Sequence, residues 1–97
     1  MMEIRFLTIA QRELEEAIEY YNAESPGLGE QFLLEIVNAL EHIRQYPEAW
    51  SAYTANTRRC QTRRFPYAVV YMAWKSEIIV VAVAHLHREP GYWRDRV

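Results

Sequence analysis

The hydrophobic residues in the first half of the chain recur with the period of an α-helix. Their spacing of three and four residues predicts two amphipathic helices, one around 10–21 and one around 28–43. The first apolar stripe contains Ala10, Leu14, Ala17, Ile18 and Tyr21, and the second contains Leu28, Phe32, Leu33, Ile36, Leu40 and Ile43. A weakly alternating segment from Glu3 to Leu7 precedes them and predicts a first strand. Because only a short link separates the helices, we expect an antiparallel hairpin.

Local signals predict where these helices begin and end. Thr8 can cap the first helix, since its hydroxyl can accept a hydrogen bond from an unpaired backbone amide. Residues 22–27 interrupt the helical pattern, and Ser25 and Pro26 are typical of the cap and first position of a second helix. Tyr46–Pro47 ends that helix, because a residue before proline avoids helical geometry.

From Arg58 onward the pattern changes to that of β-strands. The segment from Arg58 to Phe65 is polar and predicts a half-exposed strand. Tyr67–Trp74 and Ile78–His85 are apolar on both faces, which is typical of central strands. The connection Lys75–Glu77 is short and polar, so these two strands should pair as a hairpin. The tail after Arg88 contains a turn, which one helical turn follows.

Together these elements predict an α+β fold with the order β-α-α-β-β-β. In this fold a helical hairpin packs on a mostly antiparallel sheet. A length of 97 residues suits one domain, covering residues 1–97. The connection after the second helix carries Trp50 and Tyr53, which we expect to cover the core rather than to anchor a partner.

The composition indicates the class of protein and its cellular compartment. Hydrophobic residues make up 51% of the chain and charged residues 25%, as in an ordinary globular protein. The single cysteine, Cys60, excludes an intramolecular disulfide and is typical of a small buried side chain in a reducing compartment. The longest aliphatic run, 78–84, is far shorter than the roughly 20 residues of a membrane helix. With no apolar signal segment at the start, we expect a cytoplasmic protein without a membrane partner.

The sequence also argues against metals and cofactors. His85 and His87 stand two residues apart on a predicted strand and offer two ligands, but no third ligand accompanies them. The chain contains only three glycines, and they form no phosphate-binding loop. We therefore expect no metal site and no cofactor.

The charge is distributed unevenly, although the net charge is only −2. Residues before Arg58 carry a net charge of −7, and residues from Arg58 onward carry +5. Either the second half faces an anionic or acidic partner, or a solvated acidic helix accompanies a basic sheet edge that avoids self-pairing. The candidate binding residues are Arg58, Arg59, Arg63, Arg64, Arg88, Arg94 and Arg96.

A metal-free ribonuclease is chemically possible from the same region. Histidine and tyrosine can transfer protons, and arginine can offset the charge on a pentavalent phosphate. The residues for that chemistry are Arg64, His85, Arg88 and Tyr92. In the simpler interpretation His85 satisfies a backbone carbonyl, and Tyr92 and Trp93 fix the tail to the core. We favour that interpretation for the histidine and the aromatic residues, and a binding role for the arginines.

Several segments resemble the RelE/ParE superfamily of toxins. The similarity spans almost the whole chain and is carried by RRFPY at 63–67, VAVAH at 81–85 and REPGYW at 88–93. Its motifs resemble the ParE-like branch more closely than the RelE-like branch. The resemblance implies the β-α-α-β-β-β fold and a type II toxin–antitoxin system, in which a small antitoxin wraps the toxin and neutralises it.

The ParE-like branch implies inhibition of DNA gyrase by binding, with no hydrolytic site. The acidic overall balance and the absence of a lysine-rich strand favour this branch over a ribosome-directed enzyme. The alternative is a RelE-like, ribosome-dependent mRNA endoribonuclease, in which Arg64 and Arg88 would stabilise charge and His85 or Tyr92 would transfer a proton. A third possibility is a degenerate toxin that acts only as an antitoxin partner.

A binding role makes one structural expectation. Arg58, Arg59, Arg63 and Arg64 should be largely accessible to solvent, and burial of all four in internal ion pairs would argue against a binding role.

Overall fold

The predicted order of helices and strands is present, with one additional short strand. The computed structural model describes residues 2–97. Its elements are β1 Glu3–Phe6, α1 Thr8–Glu24, α2 Leu28–Gln45, β2 Ser51–Ala52, β3 Arg58–Gln61, β4 Tyr67–Trp74, β5 Glu77–His85 and a 3₁₀ turn at Arg94–Arg96. The additional strand, β2, lies in the connection that the sequence predicts as a loop. The α+β class and the helical hairpin on a mostly antiparallel sheet are confirmed.

The five strands form one sheet in the order β1-β5-β4-β3-β2. The pairing of β1 with β5 is parallel, and the other three pairings are antiparallel. In the central β4–β5 hairpin the register shifts between Val70 and Tyr71, so Val81 stands opposite no residue of β4. A bulge of this kind increases the local twist of the sheet.

Both faces of the sheet are covered, which explains why β4 and β5 are apolar on both sides. The helical hairpin packs on one face, the helix face, where Val69, Tyr71 and Val80 join the residues of α1 and α2 in the main core. The C-terminal tail packs on the other, the tail face, where Trp93 is 2% exposed. Trp50 packs against the helix-face core and Tyr53 against the tail-face core, as expected of residues that cover a core.

The start of α1 differs from the prediction for Thr8. Thr8 is the first residue of the helix, and Leu7 occupies the cap position without a side-chain hydrogen bond. The Leu7 amide donates instead to the Val80 carbonyl, at 3.0 Å. The chain therefore passes directly from strand pairing into the helix. Because Leu7 occupies the cap position, Thr8 lies one residue beyond it and cannot cap the helix.

The start of α2 also differs from the prediction. Ser25 is the residue after α1, and α2 begins at Leu28 rather than at Pro26. Gly27 occupies the cap position with φ of 89°, a left-handed conformation that glycine adopts without steric cost. The side chain of Asn22 accepts hydrogen bonds from the Gly27 and Gly29 amides, at 3.1 and 2.8 Å. A residue of α1 thus supplies the acceptor that Ser25 was predicted to supply.

The third strand is shorter than the predicted Arg58–Phe65. It ends at Gln61, because Thr62 closes a turn in which its hydroxyl donates to the Phe65 carbonyl at 2.6 Å. The Thr62 amide donates to the Tyr67 carbonyl at 2.9 Å. The turn leaves the side chains of Arg63 and Arg64 exposed. Among residues 2–97, no helix is long and apolar enough to cross a membrane.

Replacement of Gly29 by alanine should destabilise the helical hairpin. Gly29 is buried where α2 crosses α1, and an added Cβ would collide with the Ile18 carbonyl oxygen and would lie 2.6 Å from the Asn22 amide nitrogen. We expect Gly29→Ala to lower the free energy of unfolding by about 1–3 kcal/mol, measured by urea denaturation. Val37→Ala, at an exposed position of the same helix, should change it by less than about 0.5 kcal/mol. Equal effects of the two substitutions would contradict this account of the helix contact.

Candidate functional site

Arg59 projects from β3 toward the tail face of the sheet. It pairs with Val70, which packs in the tail-face core, and residues that pair across strands share a face. The Arg59 guanidinium carbon lies 5.0 Å from the centre of the Tyr53 ring. Tyr53 in turn packs on Trp93, with ring centres 5.3 Å apart. The tail and the loop after β2 thus fix the position of a β3 arginine.

Arg88 and Arg59 line one pocket, and Arg88 also lies on a tyrosine ring. Its guanidinium carbon lies 3.9 Å from the centre of the Tyr92 ring, a close cation–π contact. The pocket has a volume of about 70 Å³, and its lining includes Arg59, Arg88, Tyr53 and Tyr92. We call it the arginine pocket. Its two guanidinium groups lie on aromatic faces, which position them without neutralising their charge.

The hydroxyl of Tyr92 and the guanidinium of Arg96 converge on the Glu13 carboxylate of α1. Oε2 of Glu13 accepts hydrogen bonds from the Tyr92 hydroxyl at 2.7 Å and from Nη2 of Arg96 at 2.9 Å. Oε1 accepts from Nη1 of Arg96 at 2.9 Å and from the Val83 amide at 3.0 Å. The side chains of Glu13 and Arg96 are only 14% and 13% exposed. This carboxylate is therefore fully hydrogen-bonded and paired with a positive charge.

These contacts complete the sheet where β1 ends. Because β1 pairs only with residues 77–80 of β5, the edge of β5 that faces away from β4 has no neighbouring strand beyond Val80. Nη1 of Arg96 donates to the Val81 carbonyl at 3.1 Å, while Glu13 accepts the Val83 amide. Backbone groups in a buried position require such partners. The Glu13–Arg96 pair thus substitutes for a missing length of strand.

The same contacts determine the ionisation of the two tail residues. Burial raises the pKa of Tyr92, and the hydrogen bond to the Glu13 carboxylate raises it further. The hydrogen bond to Glu13 also raises the pKa of Arg96. Arg96, a candidate binding residue in the sequence, therefore belongs to the internal framework. Tyr92 contributes its ring to the arginine pocket, while its hydroxyl is held by Glu13.

His85 ends β5 on the helix face. It pairs with Tyr67, and the two ring centres are 5.1 Å apart. Its Nδ1 accepts the His87 amide at 3.0 Å, and the two imidazole rings lie 5.0 Å apart. Burial lowers the pKa of His85, and the neighbouring His87 lowers it further. In the neutral ring the proton therefore resides on Nε2, because Nδ1 is the acceptor.

The remaining four candidate arginines lie on β3, in the turn after β3 and in the C-terminal tail. The guanidinium of Arg64 donates to the Gln31 side chain of α2 at 2.9 Å, and the guanidinium of Arg58 donates to the Trp50 carbonyl at 2.7 Å. Arg63 is exposed in the turn after β3, and Arg94 is exposed in the tail. Arg58 and Arg59 are half-buried, so they are less accessible than expected. No arginine in 58–64 forms an ion pair within the described chain, so the result that would argue against a binding role is not found.

The ribonuclease candidates are brought together only in part. Arg88 and Tyr92 line the arginine pocket, and the lining includes His85, although its imidazole packs on Tyr67 at the helix face. Arg64 does not line the pocket and contacts α2 instead. Arg59 supplies the second guanidinium in its place. Within residues 2–97 no group of three histidine, cysteine or acidic side chains could hold a metal ion. Cys60 is a buried core residue, as expected, and burial raises the pKa of its thiol to about 11.

Sequence reasoning missed Glu13. A signal was present, because Glu13 stands three residues after Ala10 and four before Ala17, both on the apolar stripe of α1. An acidic residue at that spacing faces the core and requires a partner there. The identity of the partner, 83 residues away in Arg96, has no signal in local sequence.

Comparison with known proteins gives a family and a fold. The model of a family described as ParE toxin of type II toxin–antitoxin system, parDE, matches residues 4–90. A chain of the chromosomal ParDE toxin–antitoxin system from P. aeruginosa has a similar structure, with a TM-score of 0.78 and 15% sequence identity. The match covers 90% of this chain and 98% of that chain. At this identity the structural likeness shows the shared fold. A search of curated proteins found no match.

Loss of the Glu13 charge should destabilise the whole protein. In Glu13→Gln the guanidinium of Arg96 stays largely buried without a counter-charge, and breaking a buried pair in this way costs about 3–5 kcal/mol. We expect a decrease of that order in the free energy of unfolding, measured by urea denaturation. Glu16→Gln removes the same charge from an exposed position of α1 and should cost less than about 0.5 kcal/mol. Wild-type stability in Glu13→Gln would show that this carboxylate does not hold the C-terminal tail to α1.

Tyr92 should also make the fold sensitive to alkaline pH. The pKa of Tyr92 is raised above its ordinary value of 10.0, so its contribution to stability is complete below that pH and is lost as the pH rises above it. We expect Tyr92→Phe to lose less stability than the wild type between about pH 9 and pH 11. Urea midpoints measured across this range report the difference. Parallel curves for the two proteins would show that the hydroxyl does not titrate in this way.

Proposed function

Because this chain belongs to the ParE family of toxins from type II toxin–antitoxin systems, we propose that it binds DNA gyrase and inhibits it without catalysis of its own. The family expected from the sequence motifs is confirmed, and membership implies a cognate antitoxin as a protein partner. The choice of gyrase as target, the cytoplasmic location and the treatment of residues 1–97 as one toxin domain are part of the proposal.

The hydrogen bonding of the two proton-carrying side chains supports binding over cleavage. A general base needs a free acceptor within reach of substrate. Nδ1 of His85 already accepts the His87 amide, so the other nitrogen of the neutral ring is a donor. The Tyr92 hydroxyl donates to Glu13, and its pKa is raised. Neither group is therefore available as a proton acceptor at neutral pH.

The proposed binding surface consists of the accessible arginines. Arg63, Arg64, Arg88 and Arg94 are exposed, and Arg58 and Arg59 are half-buried. Guanidinium groups without internal counter-charges recognise carboxylates bidentately. Arg96 is left out of this surface, because Glu13 already neutralises it.

The antitoxin would cover the same arginines. An acidic, amphipathic segment of the antitoxin matches both the uncompensated guanidinium groups and the exposed apolar side chains. Leu34 and Val37 are such side chains on α2, at 60% and 48% exposure. Occupation of the arginine-bearing surface would then exclude the target, which accounts for neutralisation without any change in fold.

Induction of the toxin without its antitoxin should stop DNA synthesis before protein synthesis. Inhibition of gyrase halts replication directly, whereas an mRNA endoribonuclease halts translation first. Pulse incorporation of labelled thymidine and labelled methionine, followed in parallel for the first minutes after induction, measures the order. An earlier fall in methionine incorporation would identify the ribonuclease alternative, and absence of growth arrest would identify the degenerate toxin.

Purified gyrase provides the direct test and a variant control. The toxin at micromolar concentration should inhibit supercoiling, and His85→Ala should retain that inhibition, because the imidazole has no role in binding in this proposal. A ribonuclease would instead lose its activity in His85→Ala. Unchanged supercoiling in the presence of the wild-type toxin would refute the proposal.

A further inference from the structure

We propose that the arginine pocket is a receptor for one carboxylate group, supplied by an acidic side chain of a protein partner. This inference rests on the proposed binding function and specifies the chemistry of one contact within it. The contact would lie on the tail face of the sheet, between the guanidinium groups of Arg59 and Arg88.

Both guanidinium groups have unused hydrogen-bond donors. Within residues 2–97 neither Arg59 nor Arg88 forms an ion pair, and neither guanidinium donates a hydrogen bond to another side chain. Each lies on the face of a tyrosine ring, at 5.0 Å from Tyr53 and 3.9 Å from Tyr92. Stacking on a ring occupies the flat face of a guanidinium but leaves the N–H groups at its edge free. The two arginines are therefore held in place with their donors available.

The size and lining of the pocket suit a small planar anion on an aliphatic stem. With a volume of about 70 Å³, the pocket has room for a small side-chain group. The pocket lining includes the small apolar side chains Ala68, Val70 and Ala84. These side chains can contact the methylene groups of an aspartate or glutamate while the carboxylate meets the guanidinium edges.

The charge of the pocket also suits a single negative group. Arg59 and Arg88 contribute two positive charges to the lining, and Glu89 contributes one negative charge. The lining also includes His85, but its imidazole packs on Tyr67 at the helix face, and burial lowers its pKa, which favours the neutral ring. The sum leaves one positive charge for an incoming group to neutralise. A monoanionic carboxylate satisfies that requirement.

Nucleic acid fits these features less well than an acidic protein. Affinity for nucleic acid depends on contacts to several phosphates in succession. The arginine pocket offers one such contact on a protein whose net charge is −2 and whose first 57 residues carry −7. An acidic side chain presented by a folded or folding protein segment needs only the single pocket.

The test is a titration of the ¹⁵N-labelled protein, in which the Nε–Hε signals of the arginines report the contact. The probes are a hexaglutamate peptide with blocked ends and a hexathymidylate oligonucleotide, each at physiological salt. We expect the peptide to shift the Arg59 and Arg88 signals together, with saturation, while the signal of the exposed Arg12 on α1 stays unchanged. Arg59→Lys and Arg88→Lys keep the charge but lose the bidentate edge, so each should weaken peptide binding about tenfold. Arg12→Lys, at an exposed position of α1 outside the pocket lining, is the matched control and should bind the peptide as the wild type does.

Three results would overturn the proposal. The first is tighter binding of the oligonucleotide than of the peptide, which would assign the pocket to phosphate. The second is unchanged peptide affinity in both pocket variants, and the third is the absence of any shift at Arg59 and Arg88. Supercoiling assays with the same preparations separate this failure from failure of the proposed function. Wild-type toxin that inhibits gyrase but binds no peptide would leave gyrase inhibition standing and remove the carboxylate contact alone.

Discussion

The carboxylate of Glu13 joins three parts of the chain that are far apart in sequence. It belongs to α1, it accepts an amide of β5, and it holds the two side chains that attach the C-terminal tail. The need for this contact arises from the sheet, because β1 is too short to pair with all of β5. A buried strand edge without partners is costly. The ion pair therefore connects the tail to the helical layer and at the same time supplies the missing hydrogen bonds of the sheet.

The arginines of the second half are of two kinds, those that pair with this carboxylate and those that do not. Arg96 is neutralised internally and is only 13% exposed in its side chain. Arg59 and Arg88 have aromatic rings beneath them rather than carboxylates. Because a ring positions a guanidinium without removing its charge, these residues remain able to bind an anion. An arginine thus stabilises the fold where a carboxylate lies within hydrogen-bond distance, and it remains free to bind a partner where none does.

Periodicity made much of the fold predictable. The helical stripe of α2 and the continuous apolar runs of β4 and β5 are strong local signals, and the structure contains all three elements. The misplaced boundaries have a common cause. The acceptor at the start of α2 comes from Asn22 in the preceding helix, and β1 passes directly into α1 through the Leu7 amide. Contacts between elements, rather than local residue preferences, decide where these elements begin.

The candidate site was less predictable than the fold for a related reason. The arginines, His85 and Tyr92 are visible in the sequence as a group, but their partners are not. Glu13 and Arg96 are 83 residues apart, and the pairing of Arg59 with Tyr53 depends on the turn of a loop. Only these partners show whether a histidine or tyrosine can transfer a proton or is held in the core. They also show whether an arginine is free to bind a partner or is paired inside the protein.

The uneven charge distribution along the chain is compatible with a toxin that acts by binding its target rather than by cleaving it. Of the three ion pairs among residues 2–97, Arg5–Glu77 and Glu13–Arg96 join the acidic first half to the basic second half. Most of the positive charge after Arg58 therefore remains without an internal counter-charge. If the proposed target and the antitoxin both meet that charge with carboxylates, neutralisation needs no change in the toxin itself. In that case the antitoxin would only have to occupy the surface first, and the affinity of guanidinium groups for carboxylates would serve both inhibition and its control.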